Sequence, residues 1–208
     1  VNDYWDARFR SEGRIWGAAP SRTAEQALAL FRKHGVKSVL VPGSGYGRNT
    51  RLFSQAGMAV TGVEISRTAW EMARGFDPAT RSCHASALDL SFLDGTFDAV
   101  YGFNILHLFR HDDRLTFIQQ CQEHLDPGGL LYFTVFSERE PSFGKGAEVE
   151  PGTFESKPGR PVHYFTGHDL RDHFPGLRVL VTGLAGDEED HGEEGPHTHI
   201  LRYLCVQV

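Results

Sequence analysis

Val39-Leu40-Val41-Pro42-Gly43-Ser44-Gly45-Tyr46-Gly47-Arg48-Asn49-Thr50 decides the fold. A short apolar strand runs into a turn with glycine at every second position. A helix follows from Asn49 to Ala56. Glycine serves such a turn twice: it permits tight φ/ψ values and lets the backbone approach a ligand closely. In an open α/β sheet, ligands bind beyond the carboxyl ends of the strands, near the point where strand order reverses. The spacing separates cofactor classes. A dinucleotide fingerprint, GxGxxG, started at Gly43 would need its third glycine at position 48, where Arg48 stands. A phosphate-cradling loop would end in Gly-Lys-Ser/Thr, and this one does not.

Before this turn, Ser21 reads as the N-cap of a helix over 22–34. Its apolar face is Ala24, Ala27, Leu28 and Phe31, and Gly35 ends it. After the turn, Met58 to Val63 is a second strand closed by Glu64. Thr68 to Arg74 is a helix, and Cys83 to Ala85 marks a weak third strand. Phe97 to Phe103 is a fourth strand, Asp112 to His124 a helix, and Leu130 to Phe136 an apolar fifth strand. Between those last two, Asp126-Pro127-Gly128-Gly129 stops the helix. Residues 137–163 read as a long loop without periodicity, of the kind that is functional or mobile. Asp169 to His173 is a short helix. Leu177–Leu184 and His199–Val208 are two strands separated by an acidic turn, Asp187–Gly195. Strands alternating with helices imply a doubly wound α/β domain whose parallel sheet ends in an antiparallel hairpin. The 208 residues suffice for one such domain.

The net charge of −6 argues against a nucleic-acid partner, which usually demands a basic face. No stretch approaches the ~20 apolar residues of a membrane span. The opening residues carry no basic-then-apolar signal pattern, so the cytoplasm is the default location. Cys83, Cys121 and Cys205 form no CxxC pair, which argues against disulfides and structural zinc. A metal reading attaches to Asp190, His191, His197 and His199, but the acidic run is adequately explained as a solvated turn; no metal is expected.

Glu64 lies about 20 residues after the first glycine, the distance at which a strand-end carboxylate accepts hydrogen bonds from ribose hydroxyls. Gly43–Gly47, Glu64, Phe97-Asp98-Ala99-Val100 and Leu125-Asp126-Pro127-Gly128-Gly129 together resemble successive motifs of class I S-adenosylmethionine (SAM)-dependent methyltransferases, in that family's order, over roughly residues 36–136. The resemblance implies a Rossmann-like, seven-stranded, mostly parallel sheet with a C-terminal hairpin. It implies that Gly43, Ser44, Gly45, Tyr46, Gly47 and Asn49 face the cofactor, that Glu64 holds the ribose, and that Ile65 lies against the adenine. Ser86-Ala87 resembles the adenine-edge motif, where the family often has Asp. Either Ser86 substitutes through its hydroxyl or Asp89 has another role. Phe103-Asn104 resembles the segment beside the sulfonium, followed by Ile105-Leu106-His107. Pro42 before the first glycine, and the lead-in Tyr4-Trp5-Asp6…Gly13…Trp16, look like the thiopurine, thiol and tellurite-type enzymes. Their lead-in folds over the cofactor, so residues 1–34 are expected as lid and helix, and 137–165 as a loop over the acceptor.

Methyl transfer from a sulfonium needs the acceptor held in line with the departing sulfur. Trp16, Tyr46 and Phe103 are candidates for an aromatic wall around the cation. His107 is the candidate general base, because it follows the fourth strand and titrates near neutrality. His163 and Tyr164 are candidates for the acceptor pocket. The expected partner is a small-molecule acceptor, with the chain a monomer or homodimer. The competing readings are a SAM-binding regulator without turnover and a nucleotide-dependent oxidoreductase.

Overall fold

The computed structural model describes residues 2–190 and 196–208. In chain order the elements are α1 (Asn2–Glu12), α2 (Arg22–Lys33), β1 (Ser38–Pro42), α3 (Arg48–Gln55), β2 (Ala59–Glu64), α4 (Arg67–Phe76), β3 (Arg81–His84) and β4 (Phe97–Phe103). A 3-10 turn (Leu106–Leu108) leads to α5 (His111–Glu123) and β5 (Leu125–Phe136). Then come β6 (Ala147–Glu150), β7 (Thr153–Lys157), β8 (Arg160–His163), α6 (Gly167–Asp172), β9 (Arg178–Asp190) and β10 (Pro196–Gln207).

Seven strands form one sheet in the order β3-β2-β1-β4-β5-β10-β9. β1 pairs in parallel with β2 and with β4, so the chain winds outward in one direction from β1 and resumes in the other at β4. β10 runs antiparallel to both β5 and β9. The doubly wound sheet with its antiparallel end is therefore as the sequence implies.

Period-2 alternation divides the core between two faces. Val39, Val41, Ala99, Tyr101, Tyr132 and Cys205 pack with Ala24, Ala27, Leu28 and Phe31 of α2 and Phe53 of α3. Leu40, Val100, Leu131, Phe133, Leu204 and Val206 face the other way, onto Phe117, Ile118 and Cys121 of α5 and Leu170 of α6. Ser21 caps α2, its hydroxyl accepting the Ala24 N–H. Asp126–Gly129 still interrupts the sheet, although β5 begins at Leu125. The β4–β5 register jumps from Phe97↔Leu125 to Ala99↔Leu130 across that turn.

Two expectations are corrected. Residues 137–163 are not a loop without structure: β6, β7 and β8 form a three-stranded antiparallel sheet. Its turns fall at Pro151-Gly152 and Pro158-Gly159, where both glycines take positive φ (70° and 69°). The acidic run Asp187–Asp190 is not a turn. It lies in β9, with Asp187 in register with His199 and Glu188 with Thr198. The cross-strand ladder, with acid facing histidine, extends the strand further than the apolar pattern alone does.

Candidate active site

The carboxyl ends of β1, β2, β4 and β5 open onto one cavity of about 950 Å³. It sits where the strand order reverses, the position the fold favours for a ligand. After β1, residues Gly43–Tyr46, Arg48 and Asn49 line it; after β2, Glu64 and Ile65; after β3, Ser86–Leu88; after β4, Phe103–Ile105 and His107. Phe136 ends β5 on the far wall. His199 comes from β10, whose antiparallel course brings its start to the same end of the sheet.

The glycine turn is shaped by contact as well as by φ. Gly43 has φ +68°, and a Cβ there would come within 2.5 Å of Ile105 Cδ1. Gly47, at φ +92°, starts α3 with no side-chain cap, and it does not itself line the cavity. The Glu64 carboxylate is buried beside the turn. Gly45 N–H donates to its Oε2 and Ser66 N–H to its Oε1, each at 2.8 Å. Burial pushes its pKa above the ordinary value, against the N–H groups of Ser66, Gly45 and Ile65, which lower it. Ser44 Oγ and Asn104 Oδ1 are buried with no hydrogen-bond partner among the described residues, and both residues line the cavity. Asn104 holds φ +51°, the only positive φ among the described non-glycine residues. Buried polar groups left in this way call for a partner, which a ligand or an ordered water supplies.

The lead-in does fold over this turn. Trp16 stacks on Tyr46 with centroids 6.1 Å apart, and Phe9 meets both rings edge-on. The Tyr46 hydroxyl donates to the Gly17 carbonyl at 2.8 Å and accepts the Trp16 N–H at 3.1 Å. Asp6 Oδ1 accepts from Ser66 Oγ and Thr68 N–H, which pins α1 to the start of α4. Phe103 lies away from this cluster but shares a cation with it: the Arg48 guanidinium is 5.5 Å from the Trp16 ring and 5.2 Å from Phe103.

Several expected residues have other duties. Asn49 faces the cavity, but its Oδ1 accepts the Ser21 N–H at 2.9 Å and so fixes the start of α2. Ser86 lines the cavity while its Oγ accepts the Leu88 N–H. Asp89 turns to Ser91 instead and does not line the cavity. His107 is buried in the 3-10 turn; its Nδ1 accepts the Phe136 N–H at 3.3 Å, and its ring stacks on Phe136 at 4.2 Å. Burial, with the neighbouring His199 and His163, lowers its pKa to about 3.

His163 and Tyr164 do not line the cavity, contrary to the expectation that they contact the acceptor. His163 is held by Thr153 Oγ1 (2.8 Å) and Asp169 Oδ2 (2.7 Å), tying the small sheet to α6. The Tyr164 hydroxyl donates to Ser142 Oγ at 2.9 Å. The same segment reaches the cavity one turn earlier, through Gly159–Val162. Sequence reasoning missed Arg160, whose guanidinium lies 3.6 Å from the Tyr4 ring centroid and joins β8 to α1 across the mouth. It also missed Phe136 and His199 as cavity walls. Of the proposed metal group, His191 lies outside the described residues, and no cluster of three or more His, Cys, Asp or Glu side chains occurs among the described ones. No helix among the described residues is long and apolar enough to cross a membrane.

Residues 40–133 match the family described as "Methyltransferase domain". A curated relative, the O-methyltransferase resE of Aspergillus sclerotiorum, is 26% identical over 136 residues, 62% of this chain and 50% of that protein. The chain thus matches about half the length of that relative. Among solved structures, one described as "Conversion of a Disulfide Bond into a Thioacetal Group during Echinomycin Biosynthesis" shares the fold at TM-score 0.77, with 22% identity, over 99% of this chain and 91% of that one. The 1,6-didemethyltoxoflavin-N1-methyltransferase of Burkholderia thailandensis, solved with its substrate and S-adenosylhomocysteine, superposes at TM-score 0.70 with 20% identity, over 99% of this chain and 86% of that one.

Proposed function

We propose that this chain, which carries a methyltransferase domain at residues 40–133, transfers the methyl group of SAM to a small-molecule acceptor by in-line displacement. The observation that carries the reading is the buried Glu64 carboxylate beside the Gly43–Gly47 turn, with the unpartnered Ser44 Oγ and Asn104 Oδ1 in the same cavity. A nucleoside with two ribose hydroxyls and an amino-acid tail fits that donor and acceptor set. The toxoflavin enzyme, which holds S-adenosylhomocysteine in the same fold, and the relative named an O-methyltransferase support it.

When bound, SAM supplies a methyl group activated by a sulfonium. The residues of this chain do the rest. Glu64 accepts from the ribose hydroxyls while remaining braced by Gly45 and Ser66. Ile65 and Ala87 flank the adenine, and Ser86 presents its hydroxyl to the base edge. Gly43 lets the backbone come close to the methionine part, where Ser44 and Asn104 provide polar atoms. Trp16, docked on Tyr46, excludes water. Phe103 and Phe136 build an apolar wall around the acceptor, which enters beneath the β7–β8 hairpin. His107, neutral and protonated on Nε2, acts there as a hydrogen-bond donor. The three cysteines are free, in keeping with a cytoplasmic setting.

The deciding experiment is calorimetric titration with SAM, S-adenosylhomocysteine and NAD. Micromolar binding of the first two without NAD is expected. NAD binding instead would turn the reading to an oxidoreductase. SAM binding without turnover on any small acceptor would leave a sensor.

A further inference from the structure

Two cations stand side by side at the tip of the β7–β8 hairpin. Lys157 and Arg160 are register partners on either side of the Pro158-Gly159 turn, and both line the cavity. Lys157 is exposed and Arg160 half-buried. Neither makes an ion pair with a carboxylate among the described residues. The acids around them are taken up elsewhere. Glu155 accepts the Gly159 N–H at 2.6 Å and lies 3.9 Å from Arg110. Glu150 is shared by Arg110 and Arg114, each at 3.8 Å. Glu12 pairs with Arg8 at 3.2 Å. Asp113 lines the cavity from α5 but pairs with neither cation of the hairpin.

Arg160 is also presented in a fixed way. Its guanidinium carbon stands 3.6 Å from the Tyr4 ring centroid and 5.8 Å from that of Trp5. So close an approach is made by the face of the guanidinium, because an edge-on approach would drive a nitrogen into the ring. Stacking spends the face of the group and leaves its five N–H donors, which lie in its plane. None of these donors bonds to a described residue. A planar fork of donors beside a second positive charge fits the two oxygens of a carboxylate, which arginine grips through parallel N–H···O bonds. Behind this rim the cavity offers the apolar faces of Phe103, Phe109 and Phe136.

We infer that Arg160 and Lys157 are the specificity-determining residues of the acceptor pocket, and that the acceptor is an aromatic acid whose carboxylate they hold at the mouth while its rings lie along the phenylalanines. This rests on the methyl-transfer reading above and names the class of its acceptor. The discrimination follows from what a neutral analogue forfeits. It fills the same apolar space but leaves the guanidinium donors and both charges without an anion, in a half-buried setting where such contacts outweigh those in open water. The anion would also close the mouth, since Arg160 already joins β8 to α1 through Tyr4.

The test is calorimetric titration of the full chain saturated with S-adenosylhomocysteine. The probes are benzoate, naphthoate and cinnamate, each beside its primary amide, which keeps the shape and removes the charge. At least one acid should bind roughly tenfold or more tighter than its amide, the worth of a charge-assisted hydrogen bond. That ratio should shrink as salt is raised. Lys157→Gln, on an exposed side chain, should lower it without disturbing the fold. Arg160→Gln should bring it close to one. Arg160→Lys keeps a cation but loses the planar fork, so its ratio should fall between those of wild type and Arg160→Gln; a merely structural Arg160 would not sort acid from amide in this order. If no acid binds better than its amide, or if the preference survives in the Lys157→Gln/Arg160→Gln double variant, the inference is overturned. Failure to bind S-adenosylhomocysteine or SAM would overturn the methyl-transfer reading instead, while the same pairs titrated into the cofactor-free chain would still report on the two cations.

Discussion

Replacing Glu64 with Gln separates binding from stability, because the wild type's affinity and stability respond to pH in opposite directions. The carboxylate accepts one N–H on each oxygen, from Gly45 and from Ser66, both at 2.8 Å. An amide of the same shape has one acceptor oxygen, so one of these N–H groups would face an NH2 donor. A hydrogen bond to a charged group contributes about 1.5–3 kcal/mol. If one such bond to the ribose is lost, SAM affinity falls roughly 10- to 150-fold. The empty protein responds otherwise. Burial holds the Glu64 pKa above its ordinary value of 4.5, so the ionised group is unfavourable in the folded chain relative to its neutral form. Wild-type stability therefore declines as pH rises from that ordinary value through the raised one, because the unfolded chain releases the proton first. The Gln variant, neutral throughout, lacks that decline, while the NH2 that faces one N–H costs about 1–3 kcal/mol at every pH, so its melting temperature should be lower than the wild type's in acid and change less as pH rises. Binding has the opposite sign: ribose hydroxyls favour the carboxylate, so wild-type affinity weakens as pH falls through the raised pKa, by at most about tenfold per unit. Calorimetry with SAM and S-adenosylhomocysteine, beside thermal melts across pH, reads both. Unchanged affinity in a folded Gln variant would refute the ribose assignment.

Gly43→Ala forces a left-handed φ on alanine, at about 1–2 kcal/mol, and drives its Cβ to 2.5 Å from Ile105 Cδ1; the melting temperature and SAM affinity should both fall, and wild-type values would show the turn to be pliable. Tyr46→Phe removes the hydroxyl shared by Trp16 and Gly17, about 1–3 kcal/mol of local stability. Proteolysis within residues 1–17 should quicken, whereas unchanged cleavage would mean that ring packing alone holds the lead-in. Gly102→Ala pushes a methyl into the Phe133 ring and should cost about 1–3 kcal/mol in urea unfolding; a neutral result would show slack in that core. Asp98 is half-buried; burial raises its pKa, but the N–H groups of Lys37 and Ser38 prevail and hold it below 3.8. The stabilisation is present above that value and lost as pH falls through the depressed one. Asp98→Ala should unfold earlier in urea at neutral pH, with the gap to wild type closing in acid.

What was legible in the sequence was whatever depends on near neighbours. The β1–turn–α3 unit, the Ser21 cap and the alternation in β4 and β5 arise from contacts a few residues apart, and the structure reproduces them within one or two residues, except that β5 begins at Leu125 and not at Leu130. The 137–163 segment was misjudged because attention went to apolar periodicity. Its strands are polar on much of both faces, and their real signal was the pair of Pro-Gly turns at 151–152 and 158–159. The acidic run hid an extension of β9 for a related reason: its register with β10 is a long-range fact, with Asp187 buried and Glu188 exposed.

The glycine-turn half and the histidine half of the cavity differ in legibility for the same physical reason. Gly43 to Gly47 and Glu64 are placed by backbone conformation at consecutive strand ends, so spacing shows where they stand. Acid–base character is set by partners. His107 and His199 are both cavity histidines, and position after a strand favoured His107 as the base. What separates them is that one ring nitrogen of His107 is spent on the Phe136 N–H, while His199 meets a carboxylate 59 residues away in sequence. No local pattern encodes that meeting. It arises because β10 runs antiparallel beside β5, bringing position 199 back to the end of the sheet where the Glu140 segment leaves it. Burial likewise strips the His107 ring of its basicity, and that too depends on what packs around it and not on the residues beside it in sequence.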